Sequence, residues 1–205
     1  VSLQDDNRKP PPLPPLPPPA IVAVPGPLRI NARPAAINNY SRIRRVPLDI
    51  VLHCTDGCEG TNKDTDVAAM FASPLEKPRS SHYVVDADSV TRCVQDQQIA
   101  WHCGRTGNLI GIGIELCGSA KQTREQWLDV MSLATLQIAA RLCADLCKTH
   151  GIPPTLVTDQ GLLRKVSGIT THDYVSRAWN ETTHSDPGPG FPINDFVRAV
   201  AVAMR

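Results

Sequence analysis

Only 4% of the 205 residues are aromatic, so aliphatic side chains and alanine must fill any core. An excess of charge of one sign is also lacking. The formal net charge is +1, which removes the electrostatic case for nucleic acid or an anionic membrane. No uninterrupted apolar run approaches the ~20 residues that cross a bilayer, so no membrane insertion is expected. The opening VSLQDDNRKP lacks the basic patch and apolar stretch of a secretory signal. With no initial Met, the expectation is a chain made in the cytoplasm or a fragment of something longer. The seven cysteines (54, 58, 93, 103, 117, 143 and 147) form no paired C-x-x-C units, which argues against a structural zinc cluster. Most are expected to be reduced and buried, with Cys143 and Cys147 acting as small core hydrophobes of a helix. Cys54 and Cys58 are the candidates for a local disulfide.

Proline, by contrast, is abundant at one end. Eleven of the 19 prolines fall in the first 34 residues, including the run from Pro10 to Pro19. Such a run favours extended polyproline II and serves as a semi-rigid spacer, or alternatively as a P-x-x-P ligand. Residues 1–39 are therefore taken as a Pro-rich extended segment and 40–205 as one catalytic domain. Within that domain, 47–54 reads as a buried strand, 65–71 as a short helix and 110–117 as another strand. The segments 81–85 and 90–94 flank a turn and predict a hairpin. Thr123 to His150 reads as one long core helix, started by a Thr123/Gln126 capping box and stopped by Gly151. Further helices are expected over 159–166 and from 194 to the end. The sum is an α/β fold: a single domain with a mixed central β-sheet flanked by helices and a Pro-rich N-terminal extension.

Strand alternation places Asp49, Val51 and His53 on one side and Ile50, Leu52 and Cys54 on the other. Likewise Gly111, Gly113 and Glu115 oppose the apolar Ile112, Ile114 and Leu116. Two glycines beside one carboxylate describe a floor with room above it, and a Glu on such a strand is costly to bury without a reason. His172, expected in a turn, and Asp186, within His184-Ser185-Asp186-Pro187-Gly188-Pro189-Gly190, add an imidazole and a rigidly held carboxylate. Two imidazoles and one carboxylate suit tetrahedral zinc with an open fourth position. The bland alternatives are a buried strand histidine at 53, a structural carboxylate at 115 and, for His102, a loop-packing hydrogen bond. Cys54 is a rival ligand on the opposite face.

The segments VLHCT, SSHYVV, AWHCG, IGIGIEL, TTHD and HSDPGPGFP, in that order over about residues 47–196, resemble the type 2 N-acetylmuramoyl-L-alanine amidases. That group includes peptidoglycan recognition proteins and phage lytic enzymes. The resemblance implies that His53, His172 and Asp186 hold one zinc ion (Zn2+), and that Glu115 is the catalytic base. Many members carry Lys two residues before the metal Asp, where it stabilises the oxyanion; here His184 takes that place. Trp101 and His102 are expected to border the substrate groove. Some members have Tyr before the His of the SSHYVV segment, where this chain has Ser81.

The resemblance further implies hydrolysis of the bond between N-acetylmuramic acid and L-alanine in peptidoglycan, by a monomer. The setting expected is a phage endolysin, such as the lysin A proteins of actinobacterial phages, held in the host cytoplasm until release to the wall. Alternatives are a cytoplasmic wall-recycling amidase, a secreted autolysin, a non-catalytic wall-binding module, or an adaptor built on the Pro-rich segment.

Overall fold

A computed structural model describes residues 21–57 and 59–205. The proline run and Cys58, with its pairing to Cys54, lie outside the described residues. The chain forms β1 (Ile30–Ala32), a 3-10 turn (Ile37–Asn39), β2 (Tyr40–Ser41), β3 (Asp49–Cys54), α1 (Lys63–Ala72), β4 (Tyr83–Val85) and β5 (Val90–Arg92). Then come β6 (Ile99–Ala100), α2 (Gly104–Ile110), β7 (Gly111–Leu116), α3 (Arg124–Trp127) and α4 (Val130–His150). α5 (Asp159–Leu163), β8 (Gly168–Thr171), α6 (His172–Trp179) and α7 (Ile193–Ala203) complete it.

Six strands make one mixed sheet in the order β1-β5-β4-β7-β3-β8, in which only β4 and β5 pair antiparallel. Every residue of β3 is buried, as befits a parallel strand covered on both faces. Its even-numbered side chains, with Ile112, Ile114 and Leu116 of β7, pack on α4 and α7. The opposite face carries the site.

α4 is the one helix among the described residues long and apolar enough to cross a bilayer. Its Arg141 and Asp145 pair on the less buried side at 3.1 Å, while Leu136, Ala139, Ala140, Leu142 and Cys143 sit in the core. The six cysteines among the described residues are all buried, as expected for most of the seven.

The helix expected from Thr123 to His150 is two helices. Thr123 and Gln126 do form the capping box. Asp129 then restarts the chain, its carboxylate accepting from the amides of Met131 and Ser132. An Asp side chain competes well for free amides, which makes it a better N-cap than helix interior. His172 is likewise not in a turn but opens α6 directly after β8.

The packed chain also begins before residue 40. Ile21 is fully buried against the α4 side, the Val24 amide donates to the Gln137 carbonyl at 3.2 Å, and β1 extends the sheet beside β5.

Candidate metal centre

His53 and Glu115 are paired in register across β3 and β7, on the face away from α4. On the other side of β3, Leu52 pairs with Thr171, so the next residue, His172, emerges beside His53. Thr171 caps α6 through its hydroxyl, which accepts from the Tyr174 amide and fixes where the helix starts. The two rings meet edge to face with centroids 4.7 Å apart.

Asp186 arrives from the loop after α6, and its carbonyl accepts from the Asp173 amide at 3.1 Å. Gly188, at φ +93°, lies so close to Ala120 that a Cβ would stand 2.0 Å from that residue's carbonyl oxygen. Only glycine permits both the backbone angle and the contact. The loop is thereby held close against Ala120, which helps to preset the Asp186 carboxylate.

Asp186 Oδ2 lies 3.1 Å from His53 Nδ1, and its Oδ1 lies 3.1 Å from His172 Nδ1. One ligand atom from each of the three residues falls within 4.8 Å of the others. Burial lowers the His53 pKa and, despite Asp186, keeps the ring in the neutral form that binds metals. Burial would raise Asp186, yet hydrogen bonding to His172 and then His53 outweighs it and holds the carboxyl well below the usual carboxylate range. Two imidazoles and one ionised carboxylate thus bring one ligand atom each within reach of a single cation, and such a donor set fits zinc.

A second cluster, His53, His102 and Cys103, lies near. Cys103 packs among Val51, Val157, Leu162 and Val175, and burial pushes its thiol well above its ordinary value. A protonated thiol is a poor ligand, so this cluster competes weakly. Cys54 packs in the core on the other face, as alternation predicts.

The metal-ligand candidates open onto a cleft of about 1040 Å³, whose walls include Glu115, Trp101, Arg79 and His184. Glu115 is half-buried; desolvation first, and then the charge of Asp186, raises its pKa well above the ordinary value. Only Arg79 opposes that rise. His184 stacks on His172 with centroids 4.8 Å apart and stays 68% exposed at the rim, 3.6 Å from Asp186 Oδ1.

The model of a protein family described as N-acetylmuramoyl-L-alanine amidase matches residues 44–189, more than half of the chain and all of these residues. The chain belongs to that amidase family.

Among solved structures, the amidase is similar to the hydrolase AmiA of Staphylococcus aureus, solved with its ligand, at a TM-score of 0.69 and 18% identity. That match covers 88% of this chain and 85% of AmiA. A mutant endolysin from Bacillus subtilis gives 0.61 and 18%, covering 84% and 99% of the two chains. The amidase LysC of Clostridium intestinale gives 0.56 and 13%, covering 84% and 97%. At such identities the likeness shows a shared fold. No curated protein matches the amidase in sequence.

All seven residues singled out in the sequence (His53, Trp101, His102, Glu115, His172, His184 and Asp186) line the one cleft. His102 does so with its ring nitrogens already committed, to His53 Nε2 at 2.9 Å and to the Gly111 carbonyl at 3.3 Å. Three neighbours carry no sequence signal. Thr182 Oγ1 lies 3.0 Å from His172 Nε2, with Ser176 behind it, and Arg79 stands across the cleft.

Proposed function

We propose that this amidase is zinc-dependent and hydrolyses the amide between the lactyl group of N-acetylmuramic acid and L-alanine in peptidoglycan. One observation carries the reading: His53, His172 and Asp186 converge at the end of β3, in a cleft whose floor presents Glu115. Zinc held by those three residues supplies Lewis acidity and makes a water nucleophilic near neutral pH.

Glu115, with its raised proton affinity, takes the proton from the attacking water as the new C–O bond forms. It then returns that proton to the alanine nitrogen as the C–N bond breaks, so the amine leaves neutral and the glycan keeps a free lactyl carboxyl. His184, exposed at the rim beside the metal ligands, donates an N–H to the carbonyl oxygen as negative charge builds there. Trp101 gives the substrate an apolar wall.

The proposed setting is phage-driven lysis of a bacterial host, with the enzyme kept in the cytoplasm until it reaches the wall and acting as a monomer. The Pro-rich lead suits a spacer within a larger lytic protein, and an endolysin is among the similar structures. Mass spectrometry of digested peptidoglycan tests the activity. It should find intact glycan strands and peptides with a new L-alanine amino terminus, lost on chelation and in His172→Ala. Cleavage within the glycan or the stem peptide, or binding with no product, would overturn the reading.

A further inference from the structure

The two glycines of β7 leave room above the sheet, and that room is filled from within. A Cβ on Gly113 would stand 2.7 Å from His102 Cγ and Nδ1, and one on Gly111 would stand 3.5 Å from its Cε1. The His102 ring thus lies on the bare backbone of β7, directly behind His53. Its own amide donates to Asn108 Oδ1 at 2.8 Å, which pins the loop that carries it.

His53 Nε2, His102 Nδ1, His102 Nε2 and the Gly111 oxygen form a continuous chain of contacts, 2.9 Å and 3.3 Å across its two gaps. A carbonyl oxygen can only accept, so a productive contact requires the proton on His102 Nε2. His102 Nδ1 is then bare and accepts from His53 Nε2–H. Asp186 Oδ2, 3.1 Å from His53 Nδ1, also only accepts, so the two ends of the chain compete for the proton on His53. A cation between Nδ1 and Asp186 takes the place of a proton there and leaves the Nδ1 lone pair free to serve as a ligand. The reverse assignment sets bare His102 Nε2 against the Gly111 oxygen and puts a proton on His53 Nδ1, where the metal belongs.

We propose that His102 is a positioning residue: it relays the fixed polarity of the Gly111 carbonyl to His53, selecting the metal-binding tautomer and orienting the ring. Partners of this kind around a metal are generally worth about 10–100-fold in affinity. The inference rests on the zinc reading above and asks something separate of it.

The test is zinc affinity of the full chain, by competition with a chromophoric chelator, for wild type, His102→Phe and His102→Asn. Phe fills the space but accepts nothing, whereas Asn offers an oxygen near the place of Nδ1. The expected result is binding weakened about 10–100-fold in the Phe variant and largely restored in Asn. Long-range 1H–15N spectra of the zinc-loaded wild type should place protons on Nε2 of both His53 and His102. Wild-type affinity in the Phe variant, or a proton on His102 Nδ1, would overturn the inference while leaving the zinc reading intact. A wild type that binds no zinc would overturn both. Should His102→Phe fail to fold, the spectra of the wild type decide.

Discussion

His53 and Glu115 stand side by side because β3 and β7 are parallel neighbours in register, not because either sequence segment is near the other. The proposed metal ligand and the proposed proton carrier are thus fixed by the same hydrogen-bonded ladder. Glu115→Gln keeps the volume and removes the proton chemistry. It should lower kcat by about 10²–10⁴-fold, with zinc content measured by elemental analysis unchanged. A kcat near wild type would remove Glu115 from the mechanism.

The clamp on the Asp186 loop makes a different demand. Gly188→Ala meets the Ala120 carbonyl and an unfavourable φ of +93° at once, so the loop must lift. We expect a stability loss of about 1–3 kcal/mol and weaker zinc binding, although residue 188 touches no ligand. Titration with zinc, followed by chelator competition, checks this; unchanged affinity would show that Asp186 is held by other means.

Below the site, His82 is fully buried, with Nδ1 accepting from the Gly113 amide at 2.9 Å and Nε2 donating to the Gln98 carbonyl at 3.1 Å. Desolvation, reinforced by Arg45, pushes its pKa from 6.5 down to about 3. Between those values the unfolded chain holds a proton that the fold does not, so stability falls as pH drops below 6.5. At pH 5 the loss from this group is about 2 kcal/mol. His82→Asn retains an acceptor but does not titrate. Urea unfolding of the metal-free protein at pH 8 and pH 5 should therefore show a smaller gap for the variant than for wild type.

The N-terminal strap is testable by truncation and by one substitution. Ile21 is fully buried against the α4 side, so Ile21→Ala should cost about 2–5 kcal/mol. Deleting residues 1–39 removes β1 as well and should cost more, as read by the urea midpoint. A deletion without effect would mean that the packed domain stands without its strap.

Much of this was legible in the sequence, and for physical reasons. The alternation in 49–54 and 111–116 marks which face carries His53 and Glu115, since side chains on a strand must alternate. The prolines and glycines after Asp186 announce a rigid loop. What escaped was short or compositionally disguised. β8 is four residues, Gly-Ile-Thr-Thr, running into α6 without a linker, so neither periodicity has length to show itself. The break at Asp129 depends on one side chain outcompeting helix continuation. Ile21 sits next to a proline-rich run that speaks for a spacer, and its burial depends on a distant helix. The chain from Gly111 through His102 to His53 joins residues up to 58 positions apart, which only the folded sheet brings together.

One zinc ion is proposed to be held by His53, His172 and Asp186. Anomalous diffraction at the zinc edge, on crystals grown with zinc, tests it most directly. The expected result is a single peak within about 2.0–2.2 Å of a nitrogen of each histidine and an oxygen of Asp186. No peak at those residues, or a peak between His53, His102 and Cys103 instead, would contradict it.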